Sequence, residues 1–227
     1  GMEQARAAFM EKDGGSSEDP LKFRVLKILP ALYRRWAALR LRTLKDWIET
    51  WSTEDIYAGG DPIGTVGATF GVGLEIERMR LLGIEFNGGA IDMAKYFDEI
   101  NRDLVYALAR AAGMPERIIG TYRRYQENLE VRNAIGKDLG QPYKAEAGVP
   151  QGDPFSMMVA AIIMRPWTCM GRNLGAQPYV YVDDILLLSE ETGCEKFKEA
   201  MNATLEYLEA IGAQISPEKS HLFGSCT

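Results

Sequence analysis

Tyr179-Val180-Tyr181-Val182-Asp183-Asp184-Ile185-Leu186-Leu187-Leu188 sets two adjacent carboxylates between runs of β-forming residues. Val, Tyr and Ile in such runs favour strands, and burying an unpaired carboxylate is prohibitive. The stretch therefore predicts a hairpin over Tyr179 to Ser189 with Asp183 and Asp184 at its tip. Two like charges about 4 Å apart repel by about 4 kcal/mol at an effective dielectric of 20. A divalent cation would relieve that repulsion, and a solvated polar turn would also accommodate it. The dipeptide alone leaves both readings open.

Upstream lie two further stretches of interest. Gly89-Ala90-Ile91-Asp92-Met93-Ala94-Lys95-Tyr96-Phe97-Asp98 follows a buried strand, Phe86 to Met93, in which an aspartate precedes a helix; alone it reads as a helix cap or as a ligand. In Gly148-Val149-Pro150-Gln151-Gly152-Asp153-Pro154-Phe155-Ser156, prolines and glycines fix a rigid loop leading into an apolar helix, Pro154 to Gly171. Between them the spacing predicts helices over Glu99 to Ala112 and Pro115 to Asn128, punctuated by Gly113 and Pro115, then a hairpin between Val131 and Ala147. Downstream, Cys194 to Ile211 reads as helix and Ala213 to Phe223 as strand and turn.

Toward the N-terminus, residues 13 to 20 read as an exposed loop, Phe23 to Leu29 as a strand, and Ala31 to Trp51 and Ala68 to Leu82 as helices. The Gly-rich stretch from Gly59 to Gly73 lacks the Gly-Lys-Ser/Thr ending and the Gly-x-Gly-x-x-Gly order, so it is read as a loop entering a helix rather than a phosphate loop. This mixture of strands and helices predicts an α+β fold, with helices on one face of a mainly antiparallel sheet.

Composition bounds the chemistry. The chain has 227 residues, enough for one large domain or two small ones, and 46% are hydrophobic. A single histidine, His221, excludes sites built on several imidazoles. Cys169, Cys194 and Cys226 form no Cys-x-x-Cys pair and read as reduced intracellular thiols. The longest apolar run, Met157 to Met164, falls far short of the roughly 20 residues that span a bilayer, so no membrane partner is expected. The first residue is Gly and Met2 follows, which reads as a piece of something longer. The formal charge of -6 hides a polarised molecule: residues 21 to 45 hold 8 basic side chains and no acidic one, leaving 18 basic against 32 acidic elsewhere, a net of -14.

In this order and at these intervals the Asp strand, the Pro-Gln-Gly loop and the Tyr-x-Asp-Asp hairpin, with Gly212-Ala213-Gln214-Ile215-Ser216-Pro217-Glu218-Lys219 as a fourth element, resemble the palm of a reverse transcriptase. The likeness runs from about Phe9 to Phe223, and the wording of the first two motifs looks most like the non-LTR (LINE-like) retrotransposon branch. The resemblance implies a right-hand polymerase core: partial fingers over 1–85, including the basic segment 21–45, and a palm over 86–227 with the thumb absent. It implies RNA-directed DNA synthesis, in which a primer 3′-hydroxyl attacks the α-phosphate of a dNTP, with RNA template and DNA primer as partners. Such chemistry uses two Mg²⁺ ions about 3.5 to 4 Å apart, with Mn²⁺ as a substitute, and hard oxygen ligands.

By the same resemblance Asp92, Asp183 and Asp184 are catalytic and metal-binding, and Met93 adds its carbonyl. Phe97 falls at the steric gate beneath the sugar, although a core aromatic is the competing role; Gln151 and Gly152 would line the nucleotide pocket. Lys219 resembles the residue that donates a proton to pyrophosphate, or is a solvated lysine. Lys12 and Arg24 resemble the residues that grip the triphosphate, although Val25 stands where the family usually has Pro. Arg34, Arg35, Arg40, Arg42, Arg123, Arg124 and Arg132 read as template contacts or as solvated charge. Missing thumb and endonuclease domains would belong to a longer retrotransposon polyprotein, and a nuclear setting rests on the family alone. Two alternatives compete. Phe97 and the Tyr-x-Asp-Asp hairpin speak against an RNA-dependent RNA polymerase, and the intact acidic trio speaks against a non-catalytic RNA-binding remnant.

Overall fold

The computed structural model describes residues 3–11, 23–58, 64–191 and 194–225. The chain runs through β1 (Gln4–Glu11), β2 (Phe23–Ile28), α1 (Ala31–Thr43), α2 (Lys45–Trp51), α3 (Gly64–Leu82), β3 (Phe86–Ala94), α4 (Tyr96–Glu99), α5 (Arg102–Ala111) and α6 (Glu116–Asn128). It continues through β4 (Glu130–Ile135), β5 (Asp138–Leu139), β6 (Tyr143–Lys144), α7 (Ser156–Asn173), β7 (Gln177–Tyr181), β8 (Asp184–Glu190), α8 (Glu195–Ala210), β9 (Gln214–Ile215) and β10 (His221–Gly224). The α+β class holds, and the expected single sheet is two, each of five strands. Lys12 lies outside the described residues. No helix among the described residues is long and apolar enough to cross a membrane.

The first sheet has the order β2-β1-β4-β5, with β6 also on β4. β1 pairs antiparallel with β2 but parallel with β4, so residues from beyond position 85 complete the N-terminal sheet. The second has the order β10-β3-β8-β7, with β9 also on β3. Every pairing in it is antiparallel. Helices cover it on both faces rather than one: Ile185 and Leu187 of β8 join the main core beneath α7, while Leu186 and Leu188 pack with Ile76 and Met79 of α3. A strand buried on both faces reads as an unbroken apolar run, which is what Ile185 to Leu188 is. In β3, Gly88 and Gly89 admit side chains lying across the strand; a Cβ on Gly88 would meet the Phe223 ring at 2.4 Å, and one on Gly89 would meet Met201 at 2.2 Å.

The helix expected over Ala31 to Trp51 is broken at Leu44, a buried residue whose N–H is shared between the Arg40 and Leu41 carbonyls. The break serves tertiary contacts: the Trp47 indole donates to the Ala112 carbonyl at 2.7 Å. Asn101 caps α5 by accepting from the backbone of Asp103 and Leu104, so that helix begins at Arg102 instead of Glu99.

Asp153 ties three helices together from inside the core. Its carboxylate is 3% exposed and accepts from the Tyr33 hydroxyl of α1 at 2.8 Å, the Gln126 amide of α6 at 2.7 Å and the Phe155 N–H before α7 at 2.9 Å. Around it Tyr33 stacks on Tyr125, and Phe155 meets the edges of Trp36 and Tyr122. Burial, with Asp153 close by, holds the Tyr33 phenol far above its ordinary range, so it stays a donor.

Burial pushes the Asp153 carboxyl up to about 6, and the three hydrogen bonds oppose that rise. With an ordinary value of 3.8 when unfolded, the group is neutral in both states at low pH and its contribution to stability is then complete. As pH rises through about 6 the folded carboxyl must ionise in the core, and about 3 kcal/mol of that contribution is lost. Asp153→Asn carries no such charge. Urea unfolding of both chains is expected to show the variant gaining about 2.5 kcal/mol on wild type between about pH 4 and about pH 7.5; a pH-independent difference would mean the carboxyl is not desolvated.

Candidate active site

Strand register assembles the acidic trio. Asp92 on β3 pairs with Asp184 on β8, and Asp184 pairs with Tyr181 on β7, which closes the hairpin with the two residues Val182 and Asp183. Val182 takes φ +62° and is buried, a left-handed conformation that a β-branched residue adopts only under strain. Asp92 and Asp184 border a cleft of about 390 Å³ that Thr65, Thr69 and Val72 of α3 close on one side.

Asp183 and Asp184 sense the charges around them. Burial pushes Asp183 and Asp184 above the ordinary carboxylate range. Asp92 adds to the rise at Asp183, and Asp183 and Asp92 both add to it at Asp184. Asp183's own backbone N–H, Arg24 and Lys219 pull Asp183 back down, and Lys219 does so at Asp184. Thus Arg24, exposed on β2, acts on Asp183, and the Lys219 ammonium lies 3.6 Å from Asp92 Oδ2. Among the described residues no three His, Cys, Asp or Glu side chains are gathered closely enough to hold a metal ion. The donor set nevertheless suits a hard divalent ion in its chemistry: carboxylate oxygens raised by one another's charge, with exposed basic side chains as their counter-charges among the described residues. Met93 is buried as a whole residue and pairs with Ile215 of β9.

After Asp92 the chain turns through Lys95, at φ 51°, into α4, which carries Phe97 half-buried and edge-on to Tyr96. The loop bearing Gln151 and Gly152 is pressed onto this segment. Val149 N–H donates to the Phe97 carbonyl at 2.7 Å and Gly148 N–H to the Ile100 carbonyl at 2.9 Å. Gly148 sits at φ +81°, where a Cβ would lie 2.6 Å from the Asp98 carbonyl oxygen, so only glycine fits. Gly152 packs against β2, its absent Cβ only 3.0 Å from the Lys27 carbonyl oxygen. The Lys27 ammonium, 3.8 Å from Asp98, spans the same junction, and its burial lowers its pKa.

Sequence reasoning quoted Asp153 without giving it a role. It also missed Ser216, whose N–H donates to the Asp92 carbonyl at 2.9 Å, and Ser220, whose hydroxyl accepts from the Asp92 N–H at 3.2 Å. Their only sequence signal is that they flank Lys219. Arg123 is paired with Glu127 and lies over the Tyr106 ring, so its charge is engaged on the helix surface.

The family model described as "Reverse transcriptase (RNA-dependent DNA polymerase)" matches residues 17–226. No curated protein sequence matches significantly. Among solved structures the chain is similar to telomerase from Candida tropicalis truncated from its C-terminal domain (14% identity, TM-score 0.67), covering 100% of this chain and 51% of that one. It is also similar to Candida tropicalis telomerase in complex with a TWJ fragment of telomeric RNA (13%, TM-score 0.69; 100% and 41% covered) and to the corresponding Candida albicans complex (13%, TM-score 0.64; 99% and 42%). The chain spans about half or less of the length of these structures, and at such identities the likeness is one of fold.

Because Asp183 is raised above the ordinary carboxylate range, its contribution to stability is complete at low pH and is lost as pH rises through its folded value. Asp183→Asn is therefore expected to melt at a higher temperature than wild type at neutral pH in metal-free buffer. An equal or lower Tm would mean that burial and Asp92 do not strain this carboxylate.

Proposed function

The chain belongs to the reverse transcriptase family, and from that premise we propose that it is the core of an RNA-directed DNA polymerase, joining dNTPs to a primer 3′-hydroxyl on an RNA template. The observation that carries the reading is the β3–β8 register, which puts Asp92 beside Asp184 with Asp183 at the adjoining turn. Asp92, Asp183 and Asp184, with the Met93 carbonyl, would hold two Mg²⁺ ions, or Mn²⁺ in their place. When bound, these ions favour the deprotonated hydroxyl and neutralise charge on the leaving pyrophosphate.

The other residues act on the substrate. Arg24 is proposed to hold the triphosphate, with Lys12 in the same role. Lys219, beside Asp92, would donate a proton to pyrophosphate. Gln151 and Gly152 would form the wall of the nucleotide pocket, and Phe97 would close its floor against a ribose 2′-hydroxyl. On this reading residues 1–85 contribute partial fingers and 86–227 the palm, and the wording of the Asp92 and Gln151 motifs supports an origin in a non-LTR retrotransposon.

Primer extension on an RNA template with Mg²⁺ tests the reading. Asp183→Ala is expected to lower extension more than 100-fold, beyond the roughly 10- to 100-fold typical of residues that only support metal ligands; extension that survives the substitution would refute the catalytic assignment. Phe97→Val should raise the use of ribonucleotides relative to deoxynucleotides by up to about 100-fold, the discrimination an apolar contact achieves against one added hydroxyl. No gain would return Phe97 to the role of a core aromatic.

A further inference from the structure

On the edge of β3 away from β8 the ladder is interrupted. β9 pairs with Ala94 and Met93, and β10 pairs with Ala90 back to Asn87. Between them the residues 216–220 leave the ladder, so Asp92 and Ile91 face no regular strand partner on that side. Both backbone groups of Asp92 are bonded all the same. Its carbonyl accepts from Ser216 N–H at 2.9 Å, and its N–H donates to the Ser220 hydroxyl at 3.2 Å. That hydroxyl donates in turn to the Ser216 carbonyl at 2.8 Å, which also accepts from Lys219 N–H at 3.1 Å.

One side chain thus replaces the missing strand partner and closes the loop on itself. A strand excursion of this kind re-aims side chains beside a functional site, and here it delivers Lys219 to within 3.6 Å of Asp92 Oδ2. We infer that Ser220 is a positioning residue whose hydroxyl holds the backbone of Asp92 and the Lys219 loop in one geometry, and so sets how tightly Asp92 binds a divalent cation. The inference rests on the proposed role of Asp92 as a metal ligand. Alanine would leave the Asp92 N–H and the Ser216 carbonyl each short of a bond, and a backbone donor without a partner is costly wherever water is excluded. Threonine keeps the hydroxyl.

Mn²⁺ titrated into the chain, with the free ion followed by its paramagnetic resonance signal, tests the assignment without requiring turnover. Ser220→Ala is expected to bind Mn²⁺ at least about tenfold more weakly than wild type, the loss typical when a supporting partner of a ligand is removed, and Ser220→Thr to return within about twofold. Hydrogen exchange at the Asp92 amide should quicken in Ser220→Ala and slow again in Ser220→Thr. Wild-type Mn²⁺ affinity in Ser220→Ala, or a failure of threonine to restore a lost affinity, would overturn the inference, and so would faster exchange at Asp92 with affinity unchanged. A wild-type chain that binds no Mn²⁺, or whose binding survives Asp92→Asn, would overturn the metal-site reading itself.

Discussion

Carboxylates that repel one another are held together here by a β-ladder whose register cannot slip. Moving β8 by one residue past β3 would separate Asp92 from Asp184 and would also turn every side chain of β8 to the opposite face. Both faces resist that exchange, because Ile185 and Leu187 fill one core and Leu186 and Leu188 the other. Each fully buried aliphatic side chain is worth about 1.5 to 3 kcal/mol, so the three that are buried, Ile185, Leu187 and Leu188, together outweigh a repulsion of about 4 kcal/mol between neighbouring charges. The strained φ of Val182 belongs to the same arrangement: its side chain is buried, and the tight loop it begins sets Asp183 beside the paired aspartates.

The second requirement is that the two sheets meet at a fixed distance, since Arg24 lies on one and the aspartates on the other. The loop from Gly148 to Phe155 makes that junction. It bonds to the backbone of Phe97 and Ile100, packs Gly152 on Lys27 and ends in Asp153, whose partners Tyr33 and Gln126 come from α1 and α6. A buried carboxylate is a poor source of stability compared with an apolar residue of similar size. Its usefulness lies in direction, because three donors meet at one carboxylate in one arrangement only.

The parts legible in the sequence were those fixed by near neighbours. The hairpin at Asp183, the strand through Asp92 and the helices punctuated by Gly113 and Pro115 all follow from local patterning. What stayed hidden depends on distant partners. The local signal at Leu44 is slight, the Thr43 hydroxyl donating to the Arg40 carbonyl at 2.8 Å, and the contact of Trp47 with Ala112 spans 65 residues. Ser220 lies 128 residues from the amide it accepts from, and Tyr33 lies 120 from Asp153, beyond the reach of any periodicity. The unbroken apolar run in β8 fits helices on both faces, but which elements cover the second face is decided by α3, more than 100 residues upstream.

The parallel pairing of β1 with β4 has a consequence for how the molecule is made. Gln4 registers with Glu130, so the first strand of the chain waits for more than half of the polypeptide before its second neighbour exists. Contacts of such sequence separation close late and slowly. Until they do, β1 has only β2 beside it, and its other edge is open from Gln4 to Ala8. The sheet carrying the aspartates closes later still, since Gly224 of β10 registers with Asn87 of β3, and until then that edge of β3 is open to association with another strand.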